Sequence, residues 1–185
     1  MPWDCDPNHL LAEFSAKHLG IVTVKGIFRS LEATLDMDDE DPTQWSVVAT
    51  IDAASLDTNN ETRDRKLKSS EYLDADRYPT ITFRSTRVAR GEEADVLYGD
   101  LTMHGVTREV ALQARFNGEV TDAYGRVNRG FSARAVLRRS DFRIHESTSG
   151  PDTDGASDDI RITIAAMARK QGTGDPHPRR RRSSS

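Results

Sequence analysis

The chain lacks the features that mark disulfide-rich, membrane-spanning and exported proteins. Cys5 is the only cysteine among 185 residues, which excludes an internal disulfide and an all-cysteine metal cluster. No apolar run approaches the roughly 18 residues of a membrane-spanning helix. The start of the chain has no basic segment followed by an apolar one, so no export signal is visible. We therefore expect one cytoplasmic domain with no membrane span.

Sequence motifs for catalysis and cofactor binding are also absent. The chain contains no G-x-S-x-G nucleophile motif, no glycine-rich phosphate loop, no dinucleotide fingerprint and no H-E-x-x-H zinc motif. The wide spacing of His9, His18, His104 and His145 gives no support for a metal site. We therefore predict a protein that is not an enzyme and that uses no cofactor or metal.

Charge is distributed unevenly between the body of the chain and its last residues. Residues 171–185 are rich in Gly, Pro, Arg and Ser, and they hold four of the 26 Lys and Arg but one of the 30 Asp and Glu. Residues 1–170 therefore have 22 basic and 29 acidic residues. Because phosphate contacts dominate nucleic-acid affinity, we expect no nucleic-acid binding by this acidic body. We predict a folded domain over 1–170 and a disordered basic tail over 171–185, although the tail could also touch phosphate or an anionic surface.

Alternation of apolar and polar residues with period two is the dominant pattern, and it predicts eight β-strands. The prolines fall outside the interiors of these runs, and Gly26 interrupts the second run, which predicts a bend or bulge there. Each run has one apolar and one polar face, as expected for an antiparallel sheet with one wet face. The runs cover residues 12–18, 21–35, 45–51, 81–83, 96–103, 110–116, 131–138 and 160–164.

Eight long strands of one sheet tend to close into a barrel, because closure removes exposed edges. Several inward positions hold alanine, so the lumen is either filled by other side chains or open to a ligand, and the residues alone leave both readings open. Residues 58–67 predict a helix of two or three turns across one end of the barrel, capped by Thr58 or Asn59, with Glu61 in a capping box if Thr58 is the cap. Residues 144–159 lack periodicity and predict a long rim loop.

A set of short motifs, taken in order, resembles the YceI-like polyisoprenoid-binding family. The similarity extends over about residues 3–168, and the motifs are specific in combination although each alone is weak. They are W-x-x-D-x-x-H at 3–9, A-x-F-x-A-x-H at 12–18, R-D at 63–64, Y-P-T-x-x-F at 78–83, L-T-x-H-G-V-T at 101–107 and R-S-D-F at 139–142.

The resemblance implies an all-β, eight-stranded antiparallel, lipocalin-like barrel with one short helix near its mouth. It also implies that the lumen binds a polyisoprenoid or similar long-chain amphiphilic lipid, for storage or transport and without catalysis. Arg84 is a candidate headgroup contact, whereas Arg63–Asp64 and Arg139–Asp141 are expected to form structural ion pairs. On side-chain parity and position, the candidate lumen residues are Phe14, Ala16, His18, Phe28, Ile81, Phe83, Leu101, Met103, Leu112, Phe116, Phe131 and Ala133.

Two departures from the family pattern stand out. Ala12 and Ala16 occupy positions where relatives often have larger branched residues, which could widen one end of the lumen. Arg143 stands where glycine commonly follows the R-S-D-F block.

Two other functions stay open: an interaction module acting through the acidic surface and basic tail, and an enzyme acting on a bound amphiphile. A homodimer is also open, since twofold pairs are common but the sequence specifies no interface.

Overall fold

The structure is a computed structural model that describes residues 2–145 and 155–171. Strands make up most of it, with one α-helix and short 3₁₀ turns at 42–44, 53–55 and 139–142. The α-helix, α1, is Glu61–Lys68. The strands are β1 (Pro2–His18), β2 (Val22–Phe28), β3 (Leu31–Asp36), β4 (Ser46–Asp52), β5 (Leu56–Asp57), β6 (Thr80–Ala89), β7 (Asp95–Met103), β8 (Val106–Thr121), β9 (Val127–Arg138) and β10 (Asp159–Lys170).

The strands form one antiparallel sheet that closes on itself. Going round the wall, the order is β1, β3, β4, β6, β7, β8, β9 and β10, and β10 pairs with β1 again. The long β1 has two partners on its other side, with Pro2–Asp4 pairing to β3 and Ala12–His18 pairing to β2. Because β2 and β3 together occupy one strand position beside β1, the barrel has eight strand positions around its wall. The predicted eight-stranded antiparallel barrel is confirmed.

The bend predicted at Gly26 lies at residues 29–30 instead. Gly26 sits within β2, directly opposite Phe14, and the chain leaves the sheet at residues 29–30 instead. There the Arg29 N–H donates to the Ser55 carbonyl, and the Ser30 carbonyl accepts from the Asp52 N–H. Gly26 is therefore explained by packing, because a Cβ at this position would lie 2.3 Å from the Phe14 Cζ atom.

The first strand begins ten residues earlier than the alternation predicts. β1 starts at Pro2, and its pairing with β10 shifts register between Cys5 and Leu10, which places Pro7 and His9 in a bulge. The expectation that the prolines lie outside the strand interiors is therefore wrong for Pro7, and His9 also lies within β1. A bulge tolerates proline because the ladder hydrogen bond is already lost there. Asp6 stabilises the bulge by accepting hydrogen bonds from Asn8 N, His9 Nδ1 and Arg169 Nη2.

The helix forms close to the predicted position but with a different cap. α1 begins at Glu61, and the side chain of Asn60 accepts a hydrogen bond from the Arg63 N–H, so neither Thr58 nor Asn59 is the cap. Asn60 has extended backbone angles, as an N-cap requires, whereas Asn59 adopts a left-handed conformation with φ of 63°. Two acidic residues in the first turn and three basic residues in the last turn complement the helix dipole.

Two clusters of buried side chains fill the parts of the barrel that are closed. The larger cluster includes Leu56, Tyr72, Ile81, Phe83 and Phe142, and Leu67 of α1 packs against it. The smaller cluster surrounds Trp3 and Met37 near the opposite end of the barrel. Within residues 2–145 and 155–171, no helix is long and apolar enough to cross a membrane. Most of the predicted rim loop (146–154) and nearly all of the predicted tail (172–185) lie outside the described residues.

Candidate functional site

The barrel contains two neighbouring cavities along its axis. The mouth cavity has a volume of about 320 Å³ and is bordered by α1, the end of β1, residues 138–144 and residues 156–157. The deep cavity has a volume of about 240 Å³ and is bordered by inward-facing side chains of β3, β4 and β6–β10. The residues that line both cavities are Phe14, Phe28, Met103, Leu137 and Ile162. Because they share these lining residues, the two cavities are adjacent, and a ligand that extends from one into the other would occupy a single apolar channel.

The waist between the two cavities is formed by a pair of aromatic rings. The ring centroids of Phe14 and Phe28 are 5.4 Å apart with the ring planes inclined at 46°. Phe14 reaches this position because Gly26, its partner across the β1–β2 pair, has no side chain. Thr58 presses against the same place, since its Cγ2 atom would lie 2.8 Å from a Cβ at residue 26. The position of the Phe14 ring therefore helps to set the width of the waist.

The structure brings the twelve sequence-predicted lumen residues together on the walls of this channel. Two of them, Ala16 and His18, face the mouth cavity alone. Phe14, Phe28 and Met103 line both cavities. The other seven face the deep cavity alone, and they are Ile81, Phe83, Leu101, Leu112, Phe116, Phe131 and Ala133. Whether these side chains contact a ligand stays a prediction.

Arg84, the candidate headgroup contact, lies on the outer face of the barrel. It pairs with Val48 and Asp100 in the sheet, and it is exposed while its neighbour Phe83 is buried inside. A strand side chain of that parity points away from the lumen. The cations that do line the mouth cavity come from other elements, and they are Lys17, Arg63, Lys66, Arg138 and Arg139.

Arg63 is held in place by a neutral residue rather than by the predicted ion pair with Asp64. Its Nε donates to Thr58 Oγ1 at 2.8 Å and its Nη2 donates to the Thr58 carbonyl at 2.8 Å. Asp64 accepts instead from the Thr58 N–H at 2.8 Å and from the Thr58 hydroxyl at 2.5 Å. Arg63 and Asp64 therefore meet through buried Thr58, and together they fix the start of α1 to the barrel rim.

The 3₁₀ turn at 139–142 positions a second guanidinium at the mouth. Arg139 is buried, and its Nη2 donates to the Ala156 carbonyl at 3.1 Å, which ties the turn to the segment beside His18. Arg143 ends the turn with φ of 54° and ψ of 30°. This left-handed conformation explains why glycine suits the position and why arginine there is strained.

The far end of the deep cavity is aromatic. Trp45 makes edge-to-face contacts with Phe116 and Phe131 at centroid distances of 6.2 and 5.8 Å. Cys5 also borders this cavity, and its thiol is buried. Removal from water, with a smaller contribution from the nearby Asp4 carboxylate, raises the pKa of Cys5 to about 11. The thiol is therefore protonated at neutral pH and acts as a small apolar group.

The histidines of the described residues have different surroundings. Among residues 2–145 and 155–171, no three His, Cys, Asp or Glu side chains lie close enough to hold a metal ion. His104 is in the β7–β8 hairpin turn, where its Nδ1 lies 3.0 Å from the Phe142 carbonyl. The ring of His145 stacks on Tyr72 at 4.7 Å. His18 lines the mouth cavity at the end of β1.

Sequence reasoning did not identify the cationic side of the mouth. The signal was present in α1, because Arg63, Lys66 and Leu67 are spaced i, i+3 and i+4 and so share one helix face. The motif pattern predicts an ion pair between Arg139 and Asp141, and Lys17 has outward parity in a regular strand. The Lys17 side chain nevertheless lines the mouth cavity, one residue before the end of β1.

Comparison with known proteins agrees with this architecture. Residues 3–168 match the model of the YceI-like domain. The chain belongs to the YceI-like family. Protein YceI of Escherichia coli O157:H7 is 34% identical over 169 residues, which is 91% of this chain and 85% of that protein.

Two solved structures share the fold. BcnA of Burkholderia cenocepacia superposes with a TM-score of 0.78 at 23% identity, covering 89% of this chain and 99% of that one. A polyisoprenoid binding domain from Saccharophagus degradans superposes with a TM-score of 0.60 at 12% identity, covering 90% of this chain and 97% of that one. At these identities the likeness establishes the barrel fold alone.

Proposed function

We propose that this protein binds a polyisoprenoid or similar long-chain amphiphilic lipid in its barrel and serves to store or carry it. The observation that carries the proposal is the apolar channel formed by the mouth and deep cavities, which runs past the Phe14–Phe28 waist. A narrow, elongated, apolar space suits an unbranched or prenyl chain better than a compact ligand. The solved relative from Saccharophagus degradans is itself described as a polyisoprenoid binding domain, which supports the same ligand class.

The energetics favour a lipid chain in this space. Burial of each methylene group contributes about 0.8 kcal/mol, so ten buried methylenes contribute about 8 kcal/mol before the cost of association. The mouth cavity, at about 320 Å³, lies at the lower end of the range of about 300–1,000 Å³ that is typical of small-molecule sites, and the deep cavity, at about 240 Å³, lies just below it. We propose that residues 1–170 form the whole binding unit, that the function is non-catalytic, and that the protein works in the cytoplasm.

Filling the deep cavity tests this proposal. Ala133 is half-buried on the cavity wall, opposite Ala114 and Ile164 in neighbouring strands. In the Ala133→Phe variant the added ring takes up space in the deep cavity that several methylene groups of the ligand would otherwise occupy. Affinity for geranylgeraniol should therefore fall by at least about tenfold. Trp45 borders the same cavity, so its fluorescence can report the titration of delipidated protein.

The matched control is Val136→Phe, because Val136 lies in the same strand with its side chain 55% exposed on the outer face. This variant should bind geranylgeraniol like the unmodified protein. Equal binding by the Ala133→Phe and Val136→Phe variants, both folded by circular dichroism, would show that the lipid does not occupy the deep cavity.

A further inference from the structure

The charged residues on the wall of the mouth cavity all have the same sign. Five cationic residues line it, and among the described residues its wall includes no aspartate or glutamate. The deep cavity differs, since Glu13 and Asp95 border it together with Arg115. This concentration of positive charge occurs in a chain with a formal net charge of −4. The mouth is therefore electrostatically distinct from both the channel interior and the protein as a whole. The five residues are Lys17, Arg63, Lys66, Arg138 and Arg139.

Two carboxylates near these cations, Asp64 and Asp158, accept hydrogen bonds from neutral groups. Asp64 accepts two hydrogen bonds from Thr58, and Asp158 accepts from the Ser140 N–H at 2.9 Å and from the Ser140 hydroxyl at 2.7 Å. Arg138 approaches Asp159 only at 4.0 Å, and both side chains are about two-thirds exposed. An exposed pair at that distance contributes little.

The cations combine hydrogen-bonded guanidinium groups, Arg63 and Arg139, with exposed lysine side chains. Arg63 is anchored through Thr58 by two hydrogen bonds to neutral oxygens, so its charge is held at the rim without a carboxylate partner in the described part of the chain. Lys66 follows one helical turn later, with its ammonium 5.7 Å from the centre of the Tyr72 ring. Lys17 lies across the opening at the end of β1 and is exposed. A preplaced guanidinium with flexible lysines beside it suits a phosphate or carboxylate.

We infer that the mouth cavity is a headgroup site for an anionic amphiphile, one whose single acyl or prenyl chain ends in a phosphate or carboxylate. The inference rests on the proposed function, because the chain of the same ligand would enter the deep cavity. The head stays at the rim, where the cations are partly hydrated, and the tail passes the Phe14–Phe28 waist. A neutral alcohol of equal length would bind through its tail alone.

Matched pairs of ligands test the inference with the full chain. The probes are geranylgeranyl monophosphate against geranylgeraniol, and palmitate against hexadecanol, each titrated into delipidated protein. The anionic member of each pair should bind at least about tenfold more tightly at low salt, and high salt should reduce that preference. A preference confined to one pair would identify the head as phosphate or carboxylate.

Charge-neutral variants localise the effect. The double substitution Lys17→Gln and Lys66→Gln should weaken binding of the anionic ligands by about fivefold and leave the alcohols within about twofold. The control is the double substitution Arg84→Gln and Arg161→Gln, which removes the same net charge from exposed outer positions. It should change neither the affinity for the anionic ligands nor the affinity for the alcohols.

The outcomes separate this inference from the proposed function. Equal affinity for anionic and neutral ligands, without dependence on salt, would overturn the headgroup site and leave lipid binding intact. Equal losses of affinity for the anionic ligands in the mouth variant and the control variant would also overturn the headgroup site, since only the net charge of the protein would then matter. Failure of all four probes to bind would contradict the proposed function itself.

Discussion

Replacing Gly26 by alanine should force the Phe14 ring into the channel. A Cβ at residue 26 would lie 2.3 Å from Phe14 Cζ and 2.8 Å from Phe14 Cε1. Favourable carbon contacts are about 3.5–4.0 Å, so the ring must retreat by more than about 1 Å. Thr58, 2.8 Å away on the other side, is buried and held by hydrogen bonds to Arg63 and Asp64, so it cannot yield as easily. Free space for the ring is present in the two cavities that it borders.

The expected cost follows from two opposing effects. Overpacking typically destabilises by about 1–3 kcal/mol, and alanine recovers about 0.5–1 kcal/mol relative to glycine in a strand. The Gly26→Ala variant should therefore lose about 1–2 kcal/mol of unfolding free energy and bind geranylgeraniol more weakly. Urea unfolding followed by tryptophan fluorescence measures the first effect, and a lipid titration measures the second.

A double-mutant cycle shows whether Phe14 is responsible. In the Phe14→Leu background the clash is relieved, so Gly26→Ala should cost at least about 1 kcal/mol less than in the unmodified protein. Additive losses in the double variant, or a Gly26→Ala protein with unchanged stability and lipid affinity, would refute the account of the waist.

Two further predictions concern the backbone and the buried thiol. Arg143→Gly removes an arginine with left-handed backbone angles, so it should raise the unfolding free energy by about 0.5–1 kcal/mol, measured as a higher midpoint of thermal unfolding. The control Arg161→Gly, within β10, should lower the unfolding free energy. A lower midpoint for Arg143→Gly would contradict the strain argument. Because burial raises the pKa of Cys5 to about 11, iodoacetamide should alkylate the native thiol at pH 8 at least about a hundredfold more slowly than the urea-unfolded thiol. The protonated thiol is favoured by folding, so its contribution to stability is complete below pH 9 and is lost as the pH rises from 9 to 11. Comparable alkylation rates in the two states would show that Cys5 is accessible.

The alternation of side chains was sufficient to predict the barrel because it is set by the sheet itself. Each strand must place one face in the core and one in water, so the period-two pattern in β4 and β6–β10 reports burial directly. The same parity located the lumen residues, including Ala133 and Phe131, since inward-facing positions of a closed barrel necessarily surround its axis.

The predictions from sequence are wrong where the local structure depends on a pairing partner that is distant in sequence. Gly26 resembles a strand breaker, but its role depends on Phe14, which lies opposite it in another strand. The extension of β1 back to Pro2 depends on pairing with β10 and β3, and this pairing outweighs the local tendency of proline to end strands.

The cationic mouth was not predicted for a related reason. Lys17, Arg63 and Arg138 come from three different elements that meet only when the barrel closes. Each is unremarkable in its own segment, where an exposed charged residue is the usual finding. Only the three-dimensional arrangement shows that they share one opening.

Mass spectrometry of lipid extracted from the native protein, purified without detergent, tests lipid binding most directly. We expect a single-chain amphiphile in about one-to-one ratio to the protein, and Ala133→Phe should reduce its amount. Protein that carries no lipid from its host and takes up neither prenyl nor acyl chains afterwards would contradict the account.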